Sequence, residues 1–96
     1  MFTHIVVWKY KEDVDTQTRQ NHVERLRTLS SVVDGIESFV VGADTLRLDR
    51  SYDTGLVAIY RDQAAYHAYA VHPEHVKVAE FGHSISEHVA SVDFGS

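Results

Sequence analysis

The 96-residue chain contains no cysteine, so disulfides, thiolate catalysis and metal sites held by cysteine are excluded. It has no run of the roughly 18 uncharged apolar residues that a membrane helix requires, and its N-terminal residues lack the basic and apolar regions of a signal peptide. We therefore expect a cytoplasmic protein without a membrane partner. The formal net charge of −5 is of the wrong sign for contact with nucleic acid, so we expect no nucleic-acid partner either.

Proline and glycine are also scarce, with one and five residues, and no segment is of low complexity. A content of 44% hydrophobic and 24% charged residues is typical of an ordinary globular protein rather than a disordered chain. Because the length is that of one compact domain, we expect a single domain over residues 1–96. Histidine is abundant by contrast, with seven residues, and these are the first candidates for chemistry.

The first segment with strand character runs from Phe2 to Tyr10 and is rich in β-branched and aromatic residues. One face of this strand carries His4, Val6, Trp8 and Tyr10, and the other carries Thr3, Ile5, Val7 and Lys9. Apolar side chains therefore occur on both faces, which indicates that both faces are covered.

The rest of the chain divides into three helical segments and three further strands. Apolar residues at helical spacing between positions 23 and 33 predict a first helix, with Asp15 or Thr16 as its N-cap. Asp62 is the expected N-cap of a short second helix that ends at Ala70, and Pro73 separates this helix from a third. The predicted bounds are 36–41, 56–60 and 89–94 for the strands and 75–84 for the third helix.

This order of elements, β-α-β-β-α-α-β, predicts an α+β fold of the ferredoxin-like type with an antiparallel four-stranded sheet. Helices cover only one face of such a sheet, whereas the strands are apolar on both faces. We therefore expect a homodimer in which two sheets stack face to face. The alternative is a monomer with a partly apolar sheet surface, which monomeric proteins rarely expose.

The most specific motif is Tyr-x-x-His-Pro-x-His, which runs from Tyr69 to His75 within the segment 68–81. In this motif the chain resembles the stress-responsive α/β-barrel (Dabb) family, and the segments 4–9, 34–36, 50–53 and 92–94 are similar as well. The resemblance implies a ferredoxin-like monomer that dimerises through its sheets into an α+β barrel. It also implies that Tyr69 and His75 match the catalytic pair of a plant polyketide cyclase, which closes a linear tetraketide by aldol condensation.

Tyr69 and His75 have side chains suited to this chemistry. An imidazole can take a proton from a carbon next to a carbonyl group, and a phenol can donate a hydrogen bond to the enolate oxygen that forms. No cofactor is needed, and Asp93 could orient His75 by accepting its second N–H. The alternative is a non-catalytic binding protein or a stress-related structural protein, in which the two residues only join helices to the sheet.

The ligand is expected to be a small apolar carbonyl compound in a pocket between helices and sheet. His4 resembles a pocket histidine of the cyclase, although a histidine on an apolar strand face can also be a core residue with satisfied hydrogen bonds. Thr54 stands where the cyclase has a further pocket histidine, and this difference argues against the same substrate. The residues expected to bind substrate are His4, Val6, Trp8, Val23, Leu26 and Phe39.

A metal site is a competing hypothesis for the same region. His72 and His75 are three residues apart, Glu74 lies between them, and His83 and His88 follow. Pro73 interrupts the first pair, however, and His72 more simply caps the helix after it. We therefore expect no cofactor, neither a metal nor a haem. The third alternative is a metal- or haem-dependent protein of the monooxygenase type, in which His83 would be the axial ligand of the haem.

The remaining polar residues are expected to face solvent. His22 and His67 fall on outward helix positions. The charged connection between the second and third strands is interpreted as a solvated face, and less readily as a lid over the pocket. Its charged residues are Arg47, Asp49, Arg50 and Asp53.

Overall fold

The computed structural model describes residues 1–96, and its elements follow the predicted β-α-β-β-α-α-β order. A short 3-10 helix, Thr28–Ser31, continues the first α-helix. The elements are β1 Phe2–Tyr10, α1 Thr16–Arg27, β2 Ile36–Ala43, β3 Thr54–Tyr60, α2 Gln63–Val71, α3 Pro73–Ile85 and β4 Ser86–Gly95.

The helix ends are set by local capping. Asp15 caps α1, since its carboxylate accepts a hydrogen bond from the Thr18 backbone N–H at 2.8 Å. Asp62 caps α2 in the same way. Pro73 is the first residue of α3, where its missing N–H costs no hydrogen bond, so this helix begins two residues earlier than predicted.

The bounds of the other elements are close to the predicted ones, but three of the four strands are longer than predicted. β1 matches the predicted segment, whereas β2, β3 and β4 each extend beyond their apolar runs. Strand pairing continues through polar and glycine positions because the backbone ladder does not require an apolar side chain. The first α-helix ends at Arg27, earlier than the apolar spacing indicated, because the chain tightens into the 3-10 helix there.

The sheet has the strand order β2-β3-β1-β4, and every neighbouring pair is antiparallel. β1 is therefore central, and His4 lies between Ala58 of β3 and Asp93 of β4. Directly paired residues of antiparallel strands point to the same face. This register decides which side chains of β4 can meet those of β1.

One face of the sheet forms the core with the helices. The buried residues of β1 are His4, Val6, Trp8 and Tyr10, as the alternation predicts. They pack with buried apolar residues of every helix, including Val23, Leu26, Ala65, Tyr69 and Val78. No helix is long and apolar enough to span a bilayer.

The other face of the sheet carries apolar side chains that no helix covers. Val40, Val57, Val92 and Phe94 remain 63%, 42%, 53% and 45% exposed. The registers Val40↔Val57 and Ile5↔Val92 put these residues on the face opposite His4. The chain therefore presents an open sheet face, defined here by Val40, Val57, Val92 and Phe94.

Candidate functional site

A cavity of about 270 Å³ lies between the sheet and the helices. Eight of its twelve lining residues are hydrophobic, so it suits a small apolar ligand better than a highly charged one. It contains six of the nine predicted site residues: His4, Val6, Trp8, Leu26, Tyr69 and His75. We name it the His4–His75 cavity.

Tyr69 and His75 converge in this cavity although they lie on different helices. His72 has extended backbone angles between α2 and α3, and Pro73 starts the new helix. The break turns the chain so that the rings of Tyr69 and His75 pack against each other in a tilted arrangement, with centroids 4.4 Å apart. An unbroken helix would place residues six apart on different faces.

The tautomer of His75 is set by its hydrogen bond. Its Nδ1 lies 2.9 Å from the Ala70 carbonyl oxygen, and a carbonyl only accepts, so Nδ1 carries the proton. In the neutral ring Nε2 is then an unprotonated base. Burial lowers the pKa of His75, while the bond to Ala70 partly opposes this. His75 is therefore neutral at pH 7.

Tyr69 is suited to the opposite role. The residue is 1% exposed, and burial raises the pKa of its phenol well above the usual value of 10.0. The phenol stays protonated at neutral pH and can donate a hydrogen bond. A base and a donor thus lie side by side in the His4–His75 cavity.

The expectation that Asp93 orients His75 was wrong. Asp93 is hydrogen-bonded to Nδ1 of His4, whereas Nδ1 of His75 uses the Ala70 carbonyl. The reason is the strand register, which puts Asp93 directly beside His4 on the same sheet face. Asp93 therefore acts on a different imidazole of the same cavity.

Two residues predicted to line the pocket do not line the His4–His75 cavity. Val23 lines a separate, polar cleft of about 410 Å³ between α1 and the β2–β3 connection. Phe39 lies beneath the site, with its ring centroid 6.1 Å from that of Tyr69. Both belong to the packing around the site, since helical and strand spacing do not distinguish lining from core residues.

The sequence-based prediction missed half of the lining residues. Tyr66 packs against His4 with ring centroids 4.9 Å apart, and it lies one turn before Tyr69 on α2. Ser91 pairs with Val6 across the β1–β4 ladder, so the alternation of β4 could have identified it. The residues missed are Leu56, Tyr66, Ala79, His83, Val89 and Ser91.

His22 was predicted to be solvated, but it is completely buried. Its Nδ1 is 2.7 Å from the Tyr10 hydroxyl, which is 2.8 Å from Oγ1 of Thr54. Burial lowers the pKa of His22 to about 4, so the ring is neutral in the core. The prediction failed because His22 adjoins Val23 and precedes Leu26 by one turn, which widens the buried stripe of α1. His67 is exposed, as expected.

The charged β2–β3 connection is only partly solvated. Asp53 is buried, and its carboxylate accepts hydrogen bonds from the Tyr10 backbone N–H at 2.8 Å and from Arg47 at 2.7 Å. Burial alone would raise the pKa of Asp53, but these bonds and the nearby Arg19 hold it below its usual value. Asp53 therefore ties this connection to the end of β1, which corrects its assignment to a solvated face.

The histidines proposed as metal ligands do not form a cluster. His72 caps α3, with its Nδ1 accepting from the Glu74 backbone N–H at 3.1 Å. His83 is exposed at the rim of the His4–His75 cavity, and His88 lies on β4. No group of three or more His, Asp or Glu side chains is arranged to hold a metal ion.

Among known proteins, a sequence model of the stress responsive A/B barrel domain matches residues 2–96. No curated protein sequence matches the chain significantly. A dimeric ferredoxin-like protein of unknown function from Thermobifida fusca has a TM-score of 0.90 at 20% identity, covering 99% of this chain and 90% of that one. A Dabb family protein from Mesorhizobium loti has a TM-score of 0.79 at 24% identity, covering 99% and 95%. A hydroxynitrile lyase from Passiflora edulis has a TM-score of 0.84 at 14% identity, covering 97% and 90%.

Proposed function

The chain belongs to the stress responsive A/B barrel domain family, and from this premise we propose that it is an enzyme of the aldol and enolisation type that uses no cofactor. One observation carries the proposal. Two of the imidazoles that line the same cavity, His4 and His75, have their Nδ1 atoms held by a protein group, and the Tyr69 phenol lies beside His75. Such anchoring keeps a base in a fixed orientation for proton transfer.

His75 is the proposed base. Its Nε2 takes a proton from a carbon next to the carbonyl group of the substrate. The electron pair of that C–H bond forms the carbon–carbon double bond of the enolate, and the π pair of the carbonyl group moves onto its oxygen. Tyr69 donates a hydrogen bond to the resulting enolate oxygen. The enolate carbon then attacks a second carbonyl group, and the imidazolium of His75 returns the proton to the new alkoxide, which restores the base.

His4 and Asp93 are proposed to position the substrate around its second carbonyl group. Asp93 holds the His4 ring through Nδ1, and Tyr66 packs against its face. The apolar lining, including Val6 and Leu56, supports a small apolar carbonyl compound in the size range of the cavity, such as a polyketide-like chain. The occurrence of a hydroxynitrile lyase with this fold is compatible with lyase chemistry in such a protein.

We further propose that the protein is a homodimer joined through the open sheet face. Val40, Val57, Val92 and Phe94 expose apolar surface that the chain does not cover by itself. Contiguous apolar patches of this kind mark interaction sites in soluble proteins. The Thermobifida fusca protein with the same fold is described as dimeric, which supports this assembly.

No nucleic-acid or membrane partner is part of the proposal. The net charge of −5 disfavours binding to polyanions. We place the protein in the cytoplasm, since a chain without cysteine gains no disulfide stabilisation from an oxidising compartment.

The test is proton exchange at the carbon next to a carbonyl group. The wild-type protein is incubated in deuterated buffer with 2-heptanone, an apolar methyl ketone, and deuterium incorporation is followed by NMR. We expect exchange above the buffer rate, and a loss of about 10²-fold or more in His75→Ala because a positioned general base contributes at least that much. His67→Ala is the matched control, since His67 is exposed and lies outside the cavity.

Exchange that is no faster than in buffer would contradict the proposed chemistry, as would full exchange in a folded His75→Ala variant. The second candidate function, a non-catalytic binding or structural role, is favoured by the bond from His75 to Ala70, which ties α3 to α2. It predicts a marked loss of thermal stability in His75→Ala together with no exchange by the wild type.

A further inference from the structure

Tyr60, the last residue of β3, has a hydroxyl group that the fold leaves unsatisfied. The residue is completely buried, and its Oη has no hydrogen-bond partner. It lies directly behind the His4–His75 cavity, with its ring centroid 5.4 Å from that of Tyr69. The Tyr66 ring centroid is 5.5 Å from that of Tyr60 and 6.5 Å from that of Tyr69, so the three rings form one cluster.

A buried hydroxyl without a partner destabilises a protein, whereas an apolar group of the same shape does not. Phenylalanine would fill the position of Tyr60 and would keep its packing against Tyr69. The hydroxyl therefore contributes nothing to the stability of this state. The Tyr69 hydroxyl is close enough to add to burial in raising the pKa of Tyr60, but the two groups do not reach hydrogen-bond geometry in this state. A role in the adjacent site would explain a buried hydroxyl left in this condition.

We propose that Tyr60 is a positioning residue that donates a hydrogen bond to the Tyr69 oxygen when Tyr69 itself donates to a bound oxyanion. This role rests on the proposed function of the His4–His75 cavity. When Tyr69 donates a hydrogen bond to an anion, its oxygen becomes more negative and accepts a hydrogen bond more strongly. The Tyr60 hydroxyl then has a hydrogen-bond partner, and the anion is stabilised by a chain of two hydrogen bonds, from Tyr60 to Tyr69 and from Tyr69 to the anion.

The surroundings of the two hydroxyl groups support donation of a hydrogen bond from Tyr60 to Tyr69. Burial raises the pKa of both Tyr60 and Tyr69, so both keep their protons at neutral pH. Tyr66 is the other phenol within reach, but it lines the cavity itself and packs against His4. Tyr60 does not line the cavity, so any effect of its hydroxyl on a ligand must pass through a neighbouring residue.

The probe is 4-nitrophenolate, an aromatic oxyanion whose ionised form absorbs visible light while the neutral phenol does not. Titration of the wild-type protein should show binding of the ionised form. We expect Tyr60→Phe to weaken phenolate binding about fivefold, the factor that corresponds to the net contribution of one typical hydrogen bond. The melting temperature of Tyr60→Phe should equal or exceed that of the wild type. Tyr52→Phe, a change outside the cavity, is the matched control.

The outcomes separate this role from the proposed function. Unchanged phenolate affinity in Tyr60→Phe, with tight binding by the wild type, would overturn the role of Tyr60 and leave the cavity as an oxyanion site. A clear drop in the melting temperature of Tyr60→Phe would also overturn it, because the hydroxyl would then have a structural partner. No phenolate binding by the wild type would contradict the proposed function and the role of Tyr60 with it.

Discussion

His4 and Asp93 are 89 residues apart in sequence, yet they lie side by side on the central and edge strands, and the Asp93 carboxylate is hydrogen-bonded to Nδ1 of His4. His75, a second imidazole of the cavity, is held by the Ala70 carbonyl instead. The two rings are thus oriented by different acceptors. Loss of the Asp93 carboxylate should therefore change the orientation of the His4 ring and leave that of His75 unchanged.

Substitution of Asp93 by alanine should release the His4 ring without affecting His75. The Asp93 carboxylate accepts a hydrogen bond from Nδ1–H and so favours the His4 tautomer that carries its proton on Nδ1. Asp93→Ala removes this acceptor, and the tautomer is then no longer favoured. The measurement is the pair of ring ¹⁵N chemical shifts of each histidine at pH 8. A change in the His75 tautomer, or none in that of His4, would show that Asp93 does not have this role.

The exchange of 2-heptanone protons should depend on pH through His75. Burial lowers the pKa of His75 below its ordinary value of 6.5. The base form therefore predominates at a lower pH than for a solvated histidine, and the rate should rise with pH with its midpoint below 6.5. His75→Gln should give a flat, low profile. A midpoint above 6.5 in the wild type would assign the titration to another group.

The buried His22 should make the protein sensitive to acid. Its folded pKa is about 4, against 6.5 as the ordinary value, so between these limits only the unfolded chain binds the proton. This contribution to stability is fully present above pH 6.5 and is lost as the pH falls toward 4. The loss should total about 3 kcal/mol at 1.36 kcal/mol per pKa unit.

Urea unfolding of the wild type and of His22→Phe between pH 7 and 5 measures this contribution. The free energy of unfolding should fall less steeply in His22→Phe, because phenylalanine takes up no proton. Some slope will remain, since the pKa of His75 is also lowered. Equal slopes in the two proteins would indicate that His22 is not kept neutral by the fold.

Gly82 should tolerate no side chain while His22 is present. A Cβ at this position would lie 2.7 Å from Nε2 of His22 and 3.1 Å from Nε1 of Trp8. Gly82→Ala should therefore destabilise the protein by about 1–3 kcal/mol, as overpacking of a core does. In a His22→Ala background the same change should cost less, because the His22 ring atoms are gone and only Nε1 of Trp8 remains close, at 3.1 Å. Additive effects in this double-mutant cycle would argue against the contact.

Substitution of Val57 or Val92 by lysine should convert the proposed homodimer into a monomer. Both side chains lie on the open sheet face, and a charge buried between two sheets is costly without a partner. The molecular mass in solution, measured by light scattering during gel filtration, should fall by half. Val71→Lys is the control, since Val71 is 75% exposed on α2. A wild-type protein that elutes as a monomer would exclude this assembly.

Much of the fold could be predicted from local patterns. The alternation in β1 identified its buried face, and Asp15, Asp62 and Pro73 marked the helix starts, because caps and strand faces depend on neighbours only a few residues away. The family motif also identified Tyr69 and His75, which meet in the cavity. These are properties that the sequence determines by itself.

Other features were decided only by the tertiary structure. The pairing of Asp93 with His4 depends on the register between β1 and β4, which local alternation does not specify. The burial of His22 depends on how α1 is rotated about its axis when it packs on the sheet. Leu26, which lines the His4–His75 cavity, and Val23, which does not, lie at helical spacing among the buried residues of α1. Which of them faces a cavity is set by side chains distant in sequence, so only the folded chain distinguishes them.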